Sequence, residues 1–183
     1  MKRTYAAIAL AVIMAVTVAS PSGLRAGEEP DLAPARQAFR DGLYDIAQSR
    51  LESFIASNRD ARPLNEAHAL LGRCLYRQNN LARSLDEFRI VLDSPPGSAF
   101  RDDALYWSGE IYARGLDYRK ALESYQSVID EFPASRYVGN AVYSKGWAYY
   151  KLGMTEDALK YFGNVAEKYP FENISSDALF RAG

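Results

Sequence analysis

Residues 102–138 read DDALYWSGEIYARGLDYRKALESYQSVIDEFPASRYV, and this stretch decides the architecture. In its first half Ala104, Leu105, Tyr106, Ile111 and Tyr112 recur at helical spacing, a broad apolar stripe along one side of a helix. Gly115 follows at the point where a helix end wants a residue tolerant of left-handed backbone. Asp117 can cap a second helix through its side-chain oxygen. That helix carries Ala121, Leu122, Tyr125, Val128, Ile129 and Phe132 on its apolar side, and Pro133 stops it. The segment therefore encodes two helices joined by a tight turn. Neither can bury its apolar face alone.

The segment is one copy of a repeat with a step of 37 residues. Gly72, Gly109, Gly146 and Gly183 keep that step, as do Ala67, Ala104, Ala141 and Ala178, and Pro96, Pro133 and Pro170. So do Phe88/Tyr125/Phe162, Leu85/Leu122/Leu159 and Val91/Val128/Val165. Fixed spacing of this size marks a stacked array of one helical unit. The units run over about 29–65, 66–102, 103–139 and 140–176, with a partial fifth at 177–183. The earliest is the weakest copy, with Leu32–Asp41 and Tyr44–Ile55 as its helices and Arg59 where the closing proline is due. In the fourth unit Thr155 is placed to cap the second helix. The expected fold is all-α, a solenoid of antiparallel helix pairs over residues 27–183. Small residues are expected where the helices of a pair approach, with Gly72, Gly109 and Gly146 facing Ser84, Ala121 and Ala158. A glycine inside a helix costs about 1 kcal/mol relative to alanine. Its recurrence at one register points to close packing there.

These residues resemble the tetratricopeptide repeat, whose pattern joins a Gly-x₂-Tyr to an Ala-x₃-Phe and a closing Pro. Gly109-x₂-Tyr112, Ala121-x₃-Tyr125 and Pro133 match, as do Gly146-x₂-Tyr149, Ala158-x₃-Phe162 and Pro170. The column usually given to tryptophan holds His68, Leu105 and Val142. The resemblance covers roughly residues 30–183 and implies a right-handed superhelix whose first helices line a concave binding face. The usual period is 34. The surplus residues lie between Pro133 and Gly146, in the connection to the next unit. A junction of this kind resembles exported bacterial arrays of the Tol–Pal coordinator and outer-membrane assembly type. That resemblance implies a scaffold holding a protein or peptide partner in the cell envelope.

The start of the chain carries a separate signal. Lys2 and Arg3 precede an apolar run from Tyr5 to Ala19, and small residues follow. This is the plan of a secretory signal peptide over residues 1–26, cleaved after Ala19 or after Ala26. The run is shorter than the roughly 20 apolar residues of a membrane span. The lone Cys74 lies inside a repeat, far from the leader, so a lipid-attachment cysteine is missing there. The expected location is periplasmic or secreted, with only indirect membrane contact. Lys2, Arg3 and Arg25 are the charged residues of the leader, so the remainder has 19 basic against 23 acidic groups and a net charge of −4. A mildly acidic chain without a basic patch does not suggest nucleic acid.

Two columns of the first helices are candidates for partner binding. Arg40, Arg77, Arg114 and Lys151 stand 37 apart at the helix ends. They can hold partner carboxylates, or they can offset the helix dipole. An acidic column, Glu29, Glu66, Asp103 and Asp177, at the helix starts fits the dipole reading. So do Asp102 and Asp103 as helix-start carboxylates. The second column is aromatic: Tyr106, Tyr143 and Phe180, with Tyr76, Trp147 and Tyr150 nearby in projection. These are interface anchors or fillers between stacked helices. No metal, cofactor or catalytic site is expected. His68 has no second ligand beside it, Cys74 reads as a small apolar filler, and no nucleophile elbow or phosphate loop occurs. The chain reads as a non-catalytic scaffold. The alternative is a recruiting segment of a larger exported enzyme or of a polysaccharide or secretion machine. The partial fifth unit stops at Gly183, where an array needs a polar capping helix. The expected explanations are a natural chain that continues, a last helix that caps by itself, or a partner that covers it.

Overall fold

The computed structural model describes residues 31–58, 63–169 and 173–182. The leader at 1–26, Glu29, Arg59, Pro170 and Gly183 lie outside the described residues. The helices are α1 (Ala33–Arg40), α2 (Tyr44–Ser57), α3 (Leu64–Arg77), α4 (Leu81–Leu92), α5 (Arg101–Arg114), α6 (Tyr118–Glu131), α7 (Val138–Lys151), α8 (Thr155–Lys168) and α9 (Asn173–Ala182). The chain is an all-α solenoid. Each first helix packs on the second helix of its own pair and on that of the pair before. α3 touches α5, α5 touches α7 and α7 touches α9, so the first helices form one continuous face.

The glycine column explains how each pair closes. A Cβ built on Gly72, Gly109 or Gly146 would sit 2.7, 2.5 or 2.8 Å from the ring of Phe88, Tyr125 or Phe162. The second helix thus lays an aromatic ring across the glycine of the first. The expected close approach at the glycines is thus filled by the rings of Phe88, Tyr125 and Phe162, alongside Ser84, Ala121 and Ala158. The last three are themselves buried, and the Ser84 hydroxyl donates to the Gly72 carbonyl at 2.7 Å. Apolar burial is distributed. Four clusters lie along the array rather than one central core, each bridging neighbouring helices. Cys74 is fully buried in the first of them, and burial pushes its thiol up to about 12.

The turns inside the pairs correct two expectations. The left-handed residues are Gly42, Asn79, Leu116 and Gly153, again 37 apart, with φ of 76°, 64°, 64° and 76°. Gly115 is right-handed at φ −80°, so the positive-φ position falls on Leu116, one residue later. Leucine there carries a steric cost of about 1–2 kcal/mol, and its side chain is 71% exposed, so little burial compensates. Leu116→Gly is expected to stabilise the array by about 0.5–1 kcal/mol, after glycine's own entropy cost. A thermal melt that is unchanged or lowered would show that the turn carries no strain. Thr155 is the first residue of α8 rather than its cap; Met154 holds the cap position and no side chain caps there. Asp117 does cap α6, accepting from the Lys120 amide at 3.3 Å.

The longer junction is a built element. Between α6 and α7 the Ser135 amide donates to Phe132 and the Val138 amide to Ser135. The Ser135 hydroxyl donates to Asp102 at 2.6 Å, fastening this junction to the start of α5. The surplus residues also start α7 at Val138, eight residues ahead of Gly146.

Candidate functional site

Of the hollows that open along the face shared by the first helices, two gather charged and aromatic side chains. The first, about 340 Å³, lies between α1, α3 and the start of α5. Arg36, Arg40, Arg73 and Arg136 meet Glu66 and Asp103 there, over an apolar floor that includes Phe39, Leu70 and Phe100. Arg36 grips Glu66 with both arms of its fork, the second bond at 2.8 Å. Arg73 lies 4.7 Å above the Phe39 ring and 5.7 Å from that of Trp107, with Asp103 at 3.9 Å. Its Nε is buried and finds no partner among the described residues.

Asp103 is the anchor of this hollow and a correction to the sequence reading. It stands in the first turn of α5, as expected, yet it is only 3% exposed. The phenol of Tyr137 donates to it, and Arg136 donates at 3.3 Å from the junction before α7. Burial raises its carboxyl above the ordinary range; Tyr137, Arg73 and Arg136 work against that rise. A dipole role alone does not describe it, because Arg73 reaches it from the preceding unit and Arg136 and Tyr137 from the junction before α7. The same holds for Glu66, paired with Arg36, and for Asp177, which accepts from Tyr143 and Arg181.

The second hollow, about 310 Å³, is framed by α5, α6 and α7. Tyr118, Tyr125, Tyr143 and Trp147 supply its walls, Glu110 and Ser144 its polar atoms, and Lys151 its rim. Glu110 accepts from the Tyr125 phenol at 2.8 Å and from the Ser144 hydroxyl at 3.0 Å.

The candidate residues divide between these places. Arg40, Arg77, Arg114 and Lys151 are each the last residue of a first helix and exposed, the position both readings of that column require. Arg40 lines the first hollow and Lys151 the second; Arg77 and Arg114 line neither. Arg77 lies 5.9 Å above Tyr44 and Arg114 5.5 Å above Tyr76, each on an aromatic of the preceding unit. Tyr143 and Trp147 come together in the second hollow. Tyr150 and Phe180, 53% and 82% exposed, lie beyond it and line a third hollow of about 200 Å³ between α7, α8 and α9. Tyr106 packs inward, stacked on Tyr137 with centroids 4.6 Å apart, and burial raises its phenol well above the usual range. His68 is half-buried and bonded to Glu87 at 2.7 Å. Among the described residues no three His, Cys, Asp or Glu side chains gather to hold a metal ion, and no helix is long and apolar enough to cross a membrane.

Arg36, Arg73 and Glu110 were not among the candidates, although the signal was present. With Trp147 they form one more column at the 37-residue step. It changes from basic to acidic to aromatic along the face, so it does not stand out as a conserved type of side chain.

Comparison with known proteins gives the relatives of this array. Tetratricopeptide repeat family models match residues 32–99, and 103–135 with 140–171. No curated protein matches the sequence significantly. The crystal structure of MamA superposes with a TM-score of 0.63 at 26% identity, covering 76% of each chain. MamA 41-end from Desulfovibrio magneticus RS-1 gives 0.65 at 19% identity, over 84% of this chain and 93% of that one. A tetratricopeptide repeat protein from Parabacteroides merdae ATCC 43184 gives 0.66 at 18% identity, over 81% of this chain and 56% of that one. The last two likenesses are of fold alone.

Proposed function

The chain belongs to the tetratricopeptide repeat family, and on that premise we propose that it is a non-catalytic exported scaffold. It holds a protein or peptide partner along its first helices, in bacterial cell-envelope maintenance or outer-membrane assembly. Proteins of this family bind protein partners through such arrays. The observation that carries the reading here is the pair of adjacent hollows on the first-helix face, which offer arginines and aromatics to a passing chain. Arginine and aromatic side chains are the usual anchors of such contacts. Export is supported by the basic start and apolar run of residues 2–19. The envelope role is supported by the junction at Pro133–Val138 and its resemblance to exported arrays.

The test is cross-linking of the full chain in a bacterial host, followed by capture from envelope fractions. The expected result is a chain cut after Ala19 or Ala26 with envelope proteins attached. An uncut leader with a purely cytoplasmic partner set would overturn the export reading. Arg40→Glu reverses an exposed charge at the first hollow, so circular dichroism should not change. Capture should fall by about tenfold, the effect of losing contacts worth about 1.4 kcal/mol. Undiminished capture would place the partner on another face.

A further inference from the structure

We propose that the hollow between α5, α6 and α7 receives a cationic side chain, a lysine or arginine of the bound partner. The inference rests on the scaffold reading for the identity of its occupant. Its chemistry comes from Glu110. Its Oε1 accepts from the neutral hydroxyls of Tyr125 and Ser144, and the neutral Tyr106 phenol lies beside the same carboxylate. Among the described residues no lysine, arginine or histidine nitrogen lies within 4.0 Å of it. A carboxylate has about four acceptor positions, so these two bonds leave acceptor capacity facing the hollow.

The walls select the same charge. Tyr125, Tyr143 and Trp147 line the hollow together with Glu110, and aromatic rings attract a cation placed over their faces. A cation gains from both the rings and Glu110. An anion is repelled by Glu110, and a neutral apolar group leaves the carboxylate unsatisfied. The array uses this chemistry internally: the Arg181 guanidinium lies 3.9 Å from the Trp147 ring and is not part of this hollow's lining. A volume of about 310 Å³ suits one long side chain. Lys151 at the rim, exposed and 5.7 Å from the Trp147 ring, competes electrostatically with any incoming cation.

The test is a chemical-shift titration of the full chain with three probes. These are N-acetyl-lysine methylamide, N-acetyl-arginine methylamide and the neutral N-acetyl-norleucine methylamide. The two cationic probes should shift Tyr143, Ser144 and Trp147 and saturate, with norleucine at least about tenfold weaker. Glu110→Gln keeps an acceptor for Tyr125 and Ser144, and should weaken the cationic probes by about tenfold with an unchanged melt. Lys151→Gln, at an exposed site, should tighten them severalfold. Equal binding of norleucine and lysine, no response to the cationic probes, or full affinity in both variants would each overturn the proposal. The probes need no partner, so the two readings separate. A partner captured equally by wild type and Glu110→Gln removes the cation pocket and leaves the scaffold. Probe binding without any captured partner supports the pocket and removes the scaffold.

Discussion

Gly109→Leu is expected to unfold the middle of the array. The space at Gly109 is already filled: the first side-chain atom would lie 2.5 Å from the Tyr125 ring, closer than real Cβ contacts come. That ring is 1% exposed and its hydroxyl is tied to Glu110 at 2.8 Å, so it cannot swing away without losing that bond. Leucine adds further carbons to the same collision. Overpacking of a tight core costs about 1–3 kcal/mol and sometimes more; with α5 and α6 forced apart, at least about 3 kcal/mol is expected. Neighbouring units lose an interface too, because stability in such arrays is a sum of units and nearest-neighbour contacts. Gly163→Ala supplies the contrast. Gly163 also lies inside a helix, α8, but nothing comes within 4 Å of a Cβ built there. Alanine should stabilise there by about 0.5–1 kcal/mol. Urea melts followed by circular dichroism measure both. A Gly109→Leu array that melts like wild type would refute the ring-on-glycine account.

The difference between those two glycines shows what the sequence makes legible. The 37-residue step names Gly72, Gly109 and Gly146 as a set, while Gly163 stands outside every column. Periodicity reports which residues share a face, and the helices follow from it within a few residues; α5 begins at Arg101 where Asp103 is the expected start. It does not report which atoms meet across units. Asp103 and Tyr137 lie 34 residues apart and Arg36 and Glu66 lie 30 apart, so no local pattern joins them. Residue type misleads in the same way at Lys145. It is 3% exposed, held by Gln126 and lying 4.6 Å from the Tyr161 ring, although lysine alone reads as surface. The hollows are products of such contacts between units. Their lining is therefore legible as columns of one residue type at Tyr143 and Lys151, and hidden at Glu110, whose column changes type at each step.

Asp103→Ala is the second large effect, and its partner Asp103→Asn gives it a sign. Alanine removes the acceptor for the Tyr137 phenol, itself 8% exposed, and for Arg136, and it strips Arg73 of its nearest carboxylate. Leaving buried donors unpaired costs about 1–3 kcal/mol each, and breaking a buried charged pair about 3–5. A loss of about 2–4 kcal/mol at neutral pH is expected, since Arg136 is largely exposed and regains water. Asparagine keeps an acceptor oxygen and removes the charge. Burial holds the Asp103 carboxyl above its unfolded value, against the pull of Tyr137, Arg73 and Arg136. A carboxyl raised in this way contributes stability that is fully present below its unfolded value, near 3.9. That contribution is lost as pH rises through the folded value. Asparagine has no such loss. The stability of Asp103→Asn relative to wild type should therefore rise between about pH 4 and pH 7, while Asp103→Ala stays the least stable of the three. Urea melts of the three proteins at both pH values decide it. A relative stability of Asp103→Asn that falls with pH would mean that Arg73 and Arg136 outweigh burial. An Asp103→Ala melt equal to wild type would mean that the bonds gathered on Asp103 do not hold the array together.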